Sequence, residues 1–257
     1  MIHIDLKKYS GLALSYGESK LIPNESGVSI VSQKTVNISD VRPQLLNSDL
    51  TCPLVFYYLY SGLDTRSLLK RKNLKYCMYV IPSNLAGIEY VKTLGQCIGN
   101  YPLLVESVRG FVTIIFQLSK IDADGLEYTE AYVVRLRRGQ KYVLPPKSQF
   151  VMINTHQSTA IVAVVHSRKV RISRACDDTH GVAIYIIRKN ARREIVQNPS
   201  YREVKMFRPC KHSKLYKHFK LTEKTPVFKQ ILRKYQRFKW LHDASEIDWE
   251  NIFEKIV

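Results

Sequence analysis

Between Gly87 and Ser167 the chain reads as short apolar runs rich in Val, Ile, Tyr and Phe, broken by Gly or Pro. A break every ten or so residues is the rhythm of strands in a barrel or sandwich. Helical patterns between the strands, which a parallel α/β sheet would need, are missing. The same rhythm extends outwards. Strands are predicted over 28–36, 54–60, 76–82 and 182–187, with a short helical piece over 44–48. Leu54–Tyr60 is a continuous apolar and aromatic run, a buried strand. Ala160–Val165 is almost purely apolar and is predicted to be covered on both faces. Asp124-Gly125 marks a tight turn, because glycine accepts positive φ without penalty. Residues 1–27 carry Gly11, Gly17, Pro23 and Gly27 with weak alternation and read as an arm with one or two short strands.

After Tyr201 the period changes from two towards 3.6. Thr225 is placed to cap a helix with Pro226 at its first position. Phe228, Ile231, Leu232 and Tyr235 then share one face, and Lys229, Arg233, Lys234 and Arg237 the other. A second helix is predicted from Ser245. Glu246, Asp248 and Glu250 near its start and Lys255 near its end suit the helix dipole. Its apolar stripe is Trp249, Ile252, Phe253 and Ile256.

Charge changes the picture. The formal net charge is +18, and +11 of it lies between Tyr201 and Trp240, where 13 Lys or Arg meet 2 acids. Such an excess favours a polyanionic partner: nucleic acid, an anionic surface or an acidic protein. The bland alternative is a solvated basic surface. The five cysteines are an odd number without paired spacing, which suits free thiols in a reducing, intracellular compartment, cytoplasm or organelle matrix. No signal-peptide pattern opens the chain and no apolar run is long enough for a membrane span. Cys176 with His180, or Cys210 with His212 and His218, match no zinc spacing.

Two stretches carry a family likeness. One is Thr93-Leu94-Gly95-Gln96-Cys97-Ile98 and the other is Val143-Leu144-Pro145-Pro146-Lys147-Ser148-Gln149-Phe150. With Gly110, Gly181 and Asn198-Pro199, they resemble the cupin-type (archaeal-type) glucose-6-phosphate isomerases over roughly residues 28–204. The resemblance implies a mainly β fold, a cupin-like β-barrel or jelly roll over 28–204. The arm 1–27 would precede it, and a small basic α-helical extension over 205–257 would follow. It also implies a homodimer. The metal-ligand positions of that family fall on Gln96, Ile98, Leu103 and Phe150, of which three have no donor atom. Thr93 and Gly95 match the positions that hold the substrate phosphate. His180 is the remaining candidate acid or base.

The expected function is therefore a catalytically degenerate cupin with no cofactor. It would serve as a structural or binding subunit on a polyanion, with RNA in a ribonucleoprotein assembly favoured and other protein subunits as neighbours. An isomerase with a rebuilt or metal-free site and a basic protein-interaction scaffold without nucleic acid remain open. The candidate polyanion contacts are Arg188, Lys189, Arg192 and Arg193, then Lys205, Arg208, Lys211, Lys214, Lys217, Lys220, Lys229, Arg233, Lys234 and Arg237. Aromatic residues lie between them, and cations with aromatic faces are what unpaired nucleotides need.

Overall fold

The computed structural model describes residues 3–24, 27–207, 212–245 and 247–254, and the side chains of these except at 212–214, 253 and 254. Arg208, Cys210, Lys211, Glu246, Lys255 and Ile256 therefore lie outside the described residues, as do the side chains of His212, Lys214 and Phe253.

Eight strands form the centre: β1 (Leu74–Ile81), β2 (Gln96–Ile98), β3 (Leu103–Arg109), β4 (Phe111–Ile121), β5 (Glu127–Arg137), β6 (Lys141–Leu144), β7 (Gln149–Ile153) and β8 (Ala160–Ser167). One sheet runs β6-β3-β8-β1 and the other β2-β7-β4-β5. First pairs with last, second with seventh, third with sixth and fourth with fifth, all antiparallel. A long hairpin rolled up on itself gives this order, and it defines a jelly roll.

The two sheets do not close on each other. The first continues from β1 into Val55–Ser61 and Ser32–Asn37. The second is flanked by Ile172–Arg174 beside β2 and by the parallel strand Val204–Phe207 beside β5. The expected barrel is thus an open sandwich with extra edge strands. Apolar rhythm and turn spacing are alike in both architectures. Closure depends on which edges meet, and that choice is long-range.

Side chains alternate across each strand, so each sheet has an inner and an outer face. The inner faces meet in an aromatic layer. Phe116 stacks on Tyr132 with ring centroids 4.7 Å apart, Tyr132 on Phe207 at 5.2 Å, and Phe116 leans on Tyr142 at 5.7 Å. The outer face of the second sheet carries Ile115, Ala131, Val133, Val151 and Ile153. It is covered by Val182, Ala183, Ile184 and Ile186, in or beside the hairpin of β9 (Ile184–Lys189) and β10 (Arg192–Gln197). The outer face of the first sheet is covered from both ends of the chain. Leu6, Leu12, Leu14 and Leu21 come from a small three-stranded N-terminal sheet, and Leu215, Phe219, Phe228, Ile231 and Phe238 from the C-terminal segment. With cover on both sides, every residue of β8 is buried.

The C-terminal segment holds α1 (His212–Phe219), α2 (Val227–Arg233), a 3-10 stretch over Tyr235–Leu241 and α3 (Trp249–Glu254). None of its helices is long and apolar enough to cross a membrane. The expected cap at Thr225 is not used, since α2 starts one residue later, with Pro226 at the cap position. A distant residue supplies the acceptor instead. The Val227 N–H donates to Glu106 Oε2 of β3 at 2.9 Å. Glu106 Oε1 meets Lys141 Nζ of β6 at 2.8 Å, and the two side chains are 2% and 0% exposed. The Lys141 N–H donates to the Tyr216 hydroxyl at 2.7 Å and its Nζ to Gly139 O at 2.8 Å. Phe228 sets its edge against Tyr76, centroids 5.7 Å apart. Burial pushes the Glu106 carboxyl up from its ordinary value, against the pull of Lys141.

Two outcomes follow from these buried charges. Lys141→Met strands the Glu106 carboxylate and is expected to cost about 3–5 kcal/mol in urea unfolding, whereas the double variant Glu106→Gln/Lys141→Met recovers most of it. Equal losses in the single and double variants would refute the pair's role. His166, buried in β8, has its pKa lowered to about 4, chiefly by desolvation, with Lys75 and Arg168 adding to it. Its folded pKa lies below the ordinary 6.5, so its contribution is full above pH 6.5 and is lost as pH falls towards 4. Replacing His166 by Phe is expected to remove roughly 3 kcal/mol of the stability difference between pH 7 and pH 4.

Candidate polyanion-binding surface

The positions that resemble an isomerase metal site do converge. Gln96 of β2 sits opposite Phe150 of β7, and Phe150 opposite Phe116 of β4. Ile98, Leu103 and Phe150 are fully buried between the sheets. The donor set does not fit a metal ion: two aliphatic side chains and a phenyl ring offer no lone pair. The one carbonyl oxygen left, Gln96 Oε1, accepts from the Tyr79 hydroxyl at 3.2 Å. No group of three His, Cys, Asp or Glu occurs in metal-binding proximity among the described residues. Phe150 lies beside Phe116 of the aromatic layer.

The phosphate positions are likewise spent on the fold. The Thr93 hydroxyl accepts from the Met152 N–H at 3.0 Å. The Gly95 N–H donates to Gln44 Oε1 at 2.6 Å, and a Cβ on Gly95 would stand 2.9 Å from Ala175 O. Glycine is needed there for the close approach of the 175–181 loop. Beside it lies an ion pair that pattern reading missed. Lys92, buried to 1% exposure, donates to Glu89 Oε1 and to Gln44 O at 2.6 Å, ties down the 38–46 segment and sits over the Tyr185 ring. A lone Lys at a strand end carries no periodic signal. His180 is exposed, and its Nδ1 faces Pro43 O at 3.2 Å, outside the sandwich interior. Cys176 Sγ donates to Gln149 Oε1 at 3.3 Å, so it does not join His180. Cys52, Cys77, Cys97 and Cys176 are free thiols.

The proposed cations divide between two regions. Arg188, Lys189, Arg192 and Arg193 form the exposed tip of the β9–β10 hairpin. Arg188 lies directly opposite Arg193, and Lys189 directly opposite Arg192. Asn190 and Ala191 between them take φ of 48° and 60°, a tight left-handed turn that holds both pairs in register. Like charges placed opposite on an antiparallel pair destabilise it. None of the four takes part in an ion pair among the described residues.

The second region is the C-terminal segment. As expected, Phe228 and Ile231 are buried while Arg233, Lys234 and Arg237 are exposed. Leu232 and Tyr235 are half-buried, and the Tyr235 hydroxyl donates to Lys72 O at 3.0 Å. Lys229 departs from the expectation: it is half-buried, with its side chain close to Gly11. Lys220, Arg233, Lys234 and Arg237 surround one cavity of about 170 Å³ whose lining contains no acid. Lys217 is exposed on α1, apart from that cavity. Lys205 lies over the Tyr128 ring at 3.9 Å and pairs loosely with Glu203 at 3.6 Å. A larger groove of about 910 Å³ opens at the mouth of the sandwich beside Pro145 and Pro146, but its charges are mixed: Lys120, Lys147, Glu130 and Glu250.

No family model matches the sequence, and no curated protein sequence does. Among solved structures, procruciferin, an 11S globulin from Brassica napus, shares 14% identity at a TM-score of 0.33, over 46% of this chain and 27% of that one. Pumpkin seed globulin shares 11% at 0.38, over 57% and 36%. A vicilin from Solanum melongena shares 12% at 0.39, over 49% and 32%. The chain thus spans about a third of the length of these storage globulins. The jelly roll is established by this chain's own strand order.

Two measurements check the filled interior. Elemental analysis of the purified chain is expected to find iron, zinc, nickel and manganese well below one equivalent. Incubation with glucose 6-phosphate is expected to yield fructose 6-phosphate no faster than a His180→Ala control, because the interior offers neither a base nor a Lewis acid. A stoichiometric metal lost on replacing Gln96, or turnover above that control, would reverse this reading.

Proposed function

We propose that the chain is a catalytically degenerate relative of the cupin glucose-6-phosphate isomerases. In this reading it serves as a structural, polyanion-binding subunit, with RNA in a ribonucleoprotein assembly as the polyanion. The hairpin tip carries the reading. Two directly opposed like-charged pairs are held in register with no acid paired to them among the described residues. Such an arrangement costs stability in the free chain, and an anion lying across the tip offsets the cost. The cavity of Lys220, Arg233, Lys234 and Arg237 repeats the pattern on the C-terminal segment. Charge of this kind positions a phosphate backbone without reading its sequence.

The C-terminal segment shares one core with the jelly roll, so deleting it would disturb the fold as well as the charge. Charge-removing substitutions at exposed positions separate the two effects. With about six phosphates neutralised, affinity for single-stranded RNA is expected to fall roughly a thousandfold between 50 and 200 mM salt. Replacing Arg188, Lys189, Arg192 and Arg193 by Gln, or Lys220, Arg233, Lys234 and Arg237 by Gln, is expected to flatten that salt slope by about two each, without lowering the thermal unfolding temperature. Fluorescence anisotropy of a labelled oligonucleotide reads both. Unchanged affinity in both variants would remove the sites. Absence of RNA binding at low salt would remove the RNA reading and favour an acidic protein as the partner.

A further inference from the structure

Phe111 opens β4 and keeps 44% of its surface exposed, a large cost for a phenyl ring. It lies against the His156 imidazole, ring centroids 4.1 Å apart and planes within 12°. Burial and the nearby Arg193 guanidinium hold the His156 pKa below its usual value. The two rings are stacked face to face, and the exposed side of Phe111 is left as a platform for a further ring.

Arginines surround it. Phe111 pairs across the sheet with Arg137, and Thr113 with Arg135, so all four side chains share one face. Both arginines are exposed. Arg193 arrives from β10, where its Nη1 donates to Thr155 Oγ1 at 3.2 Å, and Thr155 Oγ1 is 3.3 Å from Thr113 Oγ1. Phe111, His156, Arg135, Arg137, Arg193 and Gln140 line a cavity of about 330 Å³, and no lining residue is acidic. That volume is at the lower end of small-ligand sites and suits about one nucleotide.

We propose that this cavity binds one nucleotide of a single-stranded RNA. Its base stacks on Phe111 and its flanking phosphates meet Arg135, Arg137 and Arg193. The inference rests on the RNA-binding reading above and gives it a site. A duplex cannot use the platform, because its bases are already stacked on each other, whereas an unpaired base of any identity presents a π-face. Gln140 also links the two cationic regions. Its side-chain amide donates to Glu223 Oε1 at 3.4 Å, next to Thr222, which lines the cavity of Lys220 and Arg233.

The test uses the full chain with a labelled single-stranded uridine 10-mer, an RNA duplex and heparin as probes. Phe111→Ala is expected to weaken binding of the 10-mer about tenfold or more. It is expected to leave heparin and duplex binding unchanged, and Phe111→Trp is expected to retain affinity for the 10-mer. The exposure of Phe111 makes both substitutions compatible with folding, which thermal unfolding verifies. Arg193→Gln is expected to weaken all three probes. If the parent chain binds the 10-mer and Phe111→Ala binds it equally, the stacking site is wrong while the RNA reading stands. An equal loss for heparin and the 10-mer would show that the pocket responds to charge alone and would overturn the proposal. Failure of the parent chain to bind either RNA would overturn this proposal together with the RNA reading.

Discussion

A carboxylate and an ammonium that share almost no water, Glu106 and Lys141, join the jelly roll to the segment that covers it. Neither charge could stay buried alone. The C-terminal segment adds to the pair, because the Val227 N–H donates to the carboxylate and the Lys141 backbone N–H donates to the Tyr216 hydroxyl. The pair couples two parts of the chain whose sequence patterns differ. It also sets the direction of α2, placing Phe228 on Tyr76 and leaving Arg233 and Lys234 in water. The cationic display of the tail is thus a consequence of a buried contact more than a hundred residues away in sequence.

The space between the sheets is packed with aromatic rings. Phe116, Tyr132, Tyr142 and Phe207 fill the space between the sheets, with Phe150 in register on the neighbouring strand. Aromatic side chains bury more surface per residue than a metal cage, and offset stacking adds specificity. Polar groups near the strand end are turned inward as well: Thr93, Gln44, Glu89 and Lys92 satisfy one another and the backbone rather than a substrate.

The cationic groups lie on the outside. The β9–β10 tip, the Phe111 platform and the tail cavity lie on different elements, with Arg193 shared between the tip and the platform and Gln140 of the platform cavity bonded to Glu223. Of the residues expected to meet a polyanion, Lys205 and Lys229 are the ones the fold draws aside, the first by Tyr128 and Glu203, the second by Gly11.

Sequence alone determined what depends on neighbours in the chain. Period-two alternation and Gly or Pro breaks specified strands, and the all-apolar run at Ala160 specified the layer covered on both sides. Asp124-Gly125 set the β4–β5 turn, and the density of Lys and Arg after Tyr201 set the charge of the C-terminal segment. The family landmarks went further and placed Gln96, Ile98, Leu103 and Phe150 on the inner faces. Tertiary structure decided the rest. That the sheets stay open depends on edge pairing between distant strands. The cap of α2 comes from Glu106 rather than Thr225, because a buried carboxylate needs a donor more than an exposed helix start needs a hydroxyl. The pairing of Arg188 with Arg193, and the meeting of Phe111, His156, Arg135 and Arg193, join positions that no periodicity relates, since register and packing of separate strands bring them together.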